Sequence, residues 1–264
     1  MNGSGARVFF RPGRGQKAAR GFVVKNCQTD RPKWFAIVRG ILKVFLRRPR
    51  FVFTGKNFQD ADEPFLLLSN HVGASAPLRY ELYLDLPFRF WGTYELTNGL
   101  KSVCRYLADV YLYEKKHFPR FLAVPAAFVI SPFVNLAYKG LCLIPTYPDL
   151  RFLRSLRESA DTLSGGQNLV IFPEDSSDGY HDKLRSFLTG FVVLAHVLYV
   201  KGTDVRICCA YYRRKDRTVI VGQPVRFSEL AKEGYDKYRI AGLLCGMTND
   251  LASWKPDASE PKKD

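Results

Sequence analysis

From about residue 50 onward the chain alternates short apolar runs with stretches of helical period. "FVFTG", "FLLLSN", "FRFWGTYEL", "LCLIPTY", "NLVIFPE", "DVRICCAYYRR" and "RTVIVGQPVRF" each read as a strand. Between them "APLRYELYLD", "DLRFLRSLRESADTLSGG" and "RSFLTGFVVLAHVLYVKG" read as helices. In the second of these Leu153, Leu156, Ala160 and Leu163 recur at helical spacing, and Gly165-Gly166 form a natural stop. Apolar strands separated by helices predict an α/β fold with a mostly parallel central sheet flanked by helices. Sites in such sheets lie beyond the carboxyl ends of strands. Two polar loops hold that position, "SNH" after "FLLL" and "PEDSSDGYHD" after "NLVIF". They are the candidates for one shared site.

Ahead of this pattern stands "RPKWFAIVRGILKVFLRRPR". On a helical wheel Trp34, Ile37, Val38, Ile41, Leu42 and Phe45 share one face, while Arg39, Lys43, Arg47 and Arg50 fall opposite, with Arg48 the exception. An apolar, aromatic-bearing face opposite a basic one fits a helix lying in an anionic membrane interface. It also fits an amphipathic helix packed on the protein's own core. The run is too short to span a bilayer, which takes ~20 apolar residues. A second apolar stretch, Phe121 to Tyr138, holds eighteen residues without a charge between Lys115, Lys116, Arg120 and Lys139. Pro125 and Pro132 interrupt it. It reads either as a kinked helix dipping into one leaflet or as a buried core helix, and basic flanks on both sides argue against a full crossing.

Charge sharpens this picture. Of the net +15, residues 1–60 carry +12, with 14 Lys/Arg against only Asp30 and Asp60. A basic front end on a near-neutral body points to an anionic surface as partner. No zinc-finger, KH or RRM signature accompanies it, so membrane lipid is expected and nucleic acid is not. Residues 1–20, rich in Gly and Arg, lack the apolar core of a signal peptide and read as a flexible or extended arm. The expected division is a basic arm and amphipathic helix over 1–50, an α/β domain over 51–250 and a polar tail over 251–264. Six cysteines without a C-x-x-C pair read as reduced thiols, and Cys208-Cys209 as small buried residues. With the basic helix they place the chain at the cytoplasmic face of a membrane, peripheral or monotopic. Walker, G-x-G-x-x-G and G-x-S-x-G motifs are absent from the sequence, which removes support for nucleotide binding or serine-hydrolase chemistry.

Asn70-His71 after an apolar strand, "GLCLIPTY", Phe172-Pro173-Glu174-Asp175-Ser176-Ser177-Asp178, the helix-like "SFLTGFVVLAH" and the final "RTVIVGQPVRF" resemble, in order and spacing, the glycerolipid (1-acylglycerol-3-phosphate) acyltransferases. That family shows N-H-x-x-x-x-D, an apolar segment ending in arginine, F-P-E-G-T-R-S, and an I-x-I-G-x-P-I strand. The resemblance implies transfer of an acyl chain from acyl-CoA or acyl-carrier protein to a lysophospholipid, with no cofactor. It implies His71 as general base, since imidazole titrates near neutral pH. It also implies an arginine that grips the acceptor phosphate through bidentate contacts.

The departures lie in the site. Ala76 stands where the family has the aspartate that orients the histidine, Ser177 where it has the phosphate-binding arginine, Asp175 at its glycine, and Thr146 where the middle motif has arginine. Glu81 lies a further five residues along, ~15 Å from His71 if the intervening stretch is helical. The expected catalytic group is therefore His71 with Glu174, Asp175 or Asp178 as its acid. Asn70, Ser75, Arg79, Ser176, Ser177, His181 and Arg185 are the expected substrate contacts, with Arg151 a further candidate cation. Glu174 reads equally as a buried acid capping loop amides, and His181 as an exposed loop residue. His117 is expected at the surface and His196 in the core. Three functional readings fit: a divergent acyltransferase, a lipid-binding homologue without activity, and a basic surface-binding module.

Overall fold

A computed structural model describes residues 31–54, 63–176 and 179–255. The arm, the last nine residues, Ser177 and Asp178 lie outside them. Seven strands form one sheet in the order β1 (Arg50–Phe53), β7 (Thr218–Arg226), β6 (Arg206–Arg213), β2 (Phe65–Ser69), β5 (Asn168–Ile171), β3 (Phe88–Thr93), β4 (Ile144–Thr146). Every neighbouring pair is parallel except β6–β7. All seven coincide with apolar runs of the sequence. β2 sits near the middle and is buried along its whole length, so its carboxyl end opens onto the centre of one sheet edge.

Helices cover both faces. One core layer joins Leu66, Leu68, Leu169 and Ile171 to α5 (Phe152–Ser164), α6 (Gly190–Val200) and α8 (Lys237–Ser253). The other packs Leu67, Val170 and Cys208 against Ala76 and Tyr80 of α2 (Ser75–Tyr83). Cys208 and Cys209 are buried, as their apolar strand predicts. His196 departs from expectation: it lies on the exposed side of α6, with its ring edge-on to Phe227. Neither α8 nor the short α7 (Phe227–Lys232) belongs to the sequence pattern above.

Between β3 and β4 the chain makes a helical excursion. α3 (Leu100–Arg105) runs on into a π-helical segment, Tyr106–Lys115, and then into α4 (Arg120–Gly140). α4 turns small residues inward, Ala123, Ala127 and Ser131, and leaves its large ones outside. Phe121, Phe128 and Phe133 are 76, 74 and 72% exposed. Both prolines lie inside the helix. Pro132 has no N–H for the Phe128 carbonyl, and the Ser131 hydroxyl donates to that oxygen instead, at 3.4 Å. Of the two expectations for this stretch, the buried core helix is ruled out by the outward phenylalanines.

The N-terminal helix α1 (Lys33–Phe45) lies against α2 and α4. Its orientation differs from the wheel. Phe35, which the wheel leaves off the apolar face, is the buried anchor, whereas Ile37, Ile41 and Phe45 are exposed. Arg39 faces inward: its guanidinium bonds the Glu81 main-chain carbonyl at 3.0 Å and lies 3.5 Å from the Glu81 carboxylate. Arg31 pairs with the same carboxylate through both terminal nitrogens. Burial pushes Glu81 up to about 7, against the pull of these two arginines. A buried acid on α2 therefore draws in Arg39 of α1 and Arg31 just ahead of it, while Ile37, Ile41, Val44 and Phe45 of α1 face outward.

The Phe35 ring occupies the space where residue 140 would carry a Cβ. Gly140→Ala is thus expected to displace Phe35 and loosen α1, at a cost of about 1–3 kcal/mol. Faster proteolysis within residues 33–45, together with a lower thermal midpoint, would register it.

Candidate active site

The strand β2 ends at Ser69, and the next two residues are fixed in different ways. The Asn70 amide is buried and bonds both main-chain groups of Tyr212, donating to its carbonyl at 3.1 Å and accepting from its N–H at 2.7 Å. It continues the β2–β6 ladder by one rung through a side chain. Ser69 adds a hydroxyl contact to Tyr80 at 3.0 Å and to the Asn70 carboxamide oxygen at 3.3 Å. Asn70 is thereby spent on the fold and not offered to a ligand. Asn70→Ala would leave a buried N–H and carbonyl unpaired, at about 1–3 kcal/mol for each group. A lower denaturant midpoint at unchanged slope would report it.

His71 follows, at the carboxyl end of the central strand. Val72 and Gly73 both take positive φ, 45° and 62°. For a β-branched valine this is a strained backbone, costing about 1–3 kcal/mol. The bend turns the Gly73 carbonyl back onto the imidazole, where it accepts a hydrogen bond from Nδ1–H. A carbonyl only accepts, so Nδ1 carries the proton and Nε2 keeps its lone pair. Nε2 makes no hydrogen bond among the described residues. The ring stacks on Tyr180 at 5.3 Å and meets the edge of Phe172 at 5.1 Å. Burial lowers the His71 pKa to about 4, aided by the positive charge of Lys115 and opposed by the Gly73 carbonyl.

No carboxylate touches the ring among the described residues. Glu174, expected as an orienting acid, instead accepts the His71 main-chain N–H at 2.9 Å and a second main-chain bond from His181. It is buried, and burial raises its pKa. Its geometry is that of the loop-capping acid. Asp175 donates its N–H to the Ser186 carbonyl, and Asp178 lies outside the described residues, as does Ser177. Ala76 is fully buried in the apolar layer beneath α2, so the position of the expected aspartate points into the core.

The remaining expected contacts divide similarly. The Ser75 hydroxyl accepts from Arg79 at 2.6 Å, and the Arg79 guanidinium lies over the Tyr212 ring at 5.2 Å. This pair braces α2. Arg151 is bound by Asp149 and lies over Tyr94 and Tyr147, beyond the ends of β3 and β4. Arg185 is exposed and His181 is half-buried. The loop carrying them is pinned by Asn249 of α8, which exchanges two bonds with the Leu184 main chain at 2.8 and 2.9 Å, and by the Tyr211 hydroxyl on the Asp182 carbonyl at 2.6 Å. Ser176, by contrast, reaches the site. Its hydroxyl accepts from Lys115 Nζ at 2.7 Å.

Tyr180 and Phe172 therefore pack on His71, and Lys115 lies against Tyr180, though sequence reasoning assigned none of the three to the site. Lys115 closes the π-helical segment, and its ammonium lies 5.3 Å from the centre of the Tyr180 ring. A basic residue abutting an apolar segment reads as an interface flank. Only the excursion's fold brings it to the strand end.

No protein-family model and no curated protein matches the chain. Among solved structures, the chain path is similar to that of the 1-acyl-sn-glycerophosphate acyltransferase of Thermotoga maritima, with a TM-score of 0.45 and 17% identity over 85% of this chain and 81% of that one. At this level of likeness no residue role passes from one chain to the other.

Proposed function

We propose that the protein is a membrane-surface acyltransferase. It moves a fatty acyl chain from acyl-CoA or acyl-carrier protein to the hydroxyl of a lysophospholipid or related lipid-like acceptor. The observation that carries this reading is the state of His71: an imidazole at the carboxyl end of the central strand, neutral, with Nδ1–H on a carbonyl and Nε2 unbound. The order of sequence motifs around it supports the same chemistry. In the reaction Nε2 takes the acceptor hydroxyl proton as the oxygen attacks the thioester carbonyl. The carbon–sulfur bond then breaks, and the imidazolium returns its proton to the departing thiolate. The Gly73 carbonyl holds the ring in the required tautomer but supplies only a dipole where a carboxylate would supply a charge.

The outward apolar residues of α1 and α4 support membrane association. Both helices lie on one another, and Ile41, Phe45, Phe128 and Phe133 expose more than half of their surface. Apolar area of this extent on adjacent helices fits the acyl boundary of a bilayer. The basic front end suits anionic headgroups of the cytoplasmic leaflet.

A second reading, a lipid-binding protein without transferase activity, is favoured by the core position of Ala76, which leaves the ring without an acid. Purified protein incubated with labelled acyl-CoA or acyl-carrier protein and a panel of lysolipids separates the two. Acylated product supports transfer, whereas liposome-dependent lipid binding with no product from any acceptor leaves only the second reading.

A further inference from the structure

We infer that Tyr180 is a positioning residue for the base: stacked on the His71 imidazole, it holds the plane in which Nε2 meets the acceptor hydroxyl. The assignment rests on the acyltransferase reading and adds to it a second orienting element beside the Gly73 carbonyl. The Nδ1–H bond to that carbonyl fixes one edge of the ring but leaves the ring free to pivot about the bond. Glu174 holds only the main-chain N–H of His71. The plane is therefore set by packing, and two aromatic rings supply it. Phe172 meets the imidazole edge-on, at 62°, whereas Tyr180 lies nearly parallel to it, at 28° with the centroids 5.3 Å apart. A parallel face resists tilting of its neighbour, because any tilt drives ring atoms into it, and an edge does so less.

Tyr180 is itself fixed. Its hydroxyl shares a hydrogen bond with the Ser176 side chain, and the Lys115 ammonium lies 5.3 Å from its ring centre. Gly179, just before it, takes φ 106°, a backbone that glycine adopts freely, and donates its N–H to the Ser176 carbonyl at 3.2 Å. Phe172, by contrast, is committed to the core, stacked on Phe90 at 5.9 Å and edge-on to Tyr80 at 5.8 Å.

The same stack keeps water from the imidazole. Burial is the chief cause of the low His71 pKa, so removing the Tyr180 ring should raise it. The charged groups about His71 are Lys115 of the π-helical segment, which also lowers that pKa, and Glu174 of the β5 loop, bound to the main chain. On α2, Arg79 is held by Ser75 and lies over Tyr212. Tyr180 stays neutral, since burial raises its own pKa. Substituting it thus removes a ring and no charge.

The test compares wild type with Tyr180→Ala and Tyr180→Phe in acyl transfer from labelled acyl-CoA to a lysophospholipid. Loss of an aromatic stack corresponds to about two- to tenfold. In Tyr180→Ala kcat should fall by that factor with KM little changed, and Tyr180→Phe, which keeps the ring, should recover most of it. The acid limb of kcat/KM should rise from near pH 4 by about one unit or more in Tyr180→Ala and stay in place in Tyr180→Phe. Wild-type kcat and acid limb in Tyr180→Ala would overturn the inference, as would a Tyr180→Phe protein as slow as Tyr180→Ala. Where alanine lowers the thermal midpoint, Tyr180→Leu fills the space without a flat face. Its kcat should still fall, and a wild-type kcat there would overturn the inference as well.

Wild-type protein without turnover would instead reject the transferase reading, and imidazole nitrogen NMR then decides the inference. The His71 signal is identified by its loss in His71→Ala. It should titrate near pH 4 in wild type and Tyr180→Phe, and closer to 6.5 in Tyr180→Ala. Identical titration in all three would overturn the assignment.

Discussion

Replacing His71 by alanine is expected to slow acyl transfer by about 10²–10⁴-fold, the range set by removing a positioned general base. The fold should persist, because Asn70 and Ser69, not the imidazole, tie this turn to the sheet. Initial rates with labelled acyl-CoA give the ratio, and equal rates in the two proteins would remove His71 from the mechanism. The pH dependence carries a sharper signature. With a pKa of about 4 in the folded protein, against 6.5 for free histidine, the base stays unprotonated well below neutral pH. The acid limb of kcat/KM due to this group should therefore lie near pH 4 instead of near 6.5. Stability moves in the same window. Between pH 6.5 and 4 the unfolded chain binds a proton at this position that the folded chain does not, so stability falls as pH drops. Denaturant midpoints measured across that window should decline less steeply in His71→Ala than in wild type.

The second large effect concerns the bilayer. Phe128→Asp with Phe133→Asp should reduce binding to anionic liposomes at least a hundredfold. Each phenylalanine buried in the acyl region contributes about 1.5–3 kcal/mol, so two together account for a factor of this size before the added charges are counted. Both side chains are largely exposed in the folded protein, so its thermal midpoint should change little. Sedimentation with vesicles at fixed salt measures the partition. Undiminished binding by the double variant would locate the membrane contact elsewhere, and binding to RNA or DNA with none to vesicles would favour the basic-surface reading.

The sheet was legible in the sequence because each of its strands is an apolar run between helical or polar stretches. α8 was not, although Asp236 caps it by accepting the Arg239 N–H at 2.7 Å. A lone capping residue ahead of a glycine-containing segment is a weak signal. The π-helical segment escapes because its wider turn does not match the 3.6-residue period. At the site, the strand-end position of His71 followed from the pattern "FLLLSN", whereas the group that orients it did not. That group is the main chain of Gly73, placed by the backbone angles at Val72 and Gly73. A residue-by-residue reading looks for an acid among Glu174, Asp175 and Asp178 because only side chains have letters. The inward turn of Arg39 escaped for a related reason: a helical wheel describes one helix, and Glu81, which draws the arginine in, lies on another.

The carbonyl behind His71 has a consequence for how this protein can vary. A carboxylate partner is one codon away from loss and brings a second ionisation into the site. The Gly73 oxygen belongs to every possible residue at that position, so no replacement deletes it, and it neither gains nor releases a proton near neutral pH. Sensitivity passes from chemical identity to shape. Residues that shift the left-handed bend at positions 72 and 73 would misdirect the imidazole even when they carry no functional group, and a bulky β-branched side chain at 73 should be less well tolerated than asparagine, which accepts that backbone readily. The site's orienting element is thus inherited as a curve in the chain.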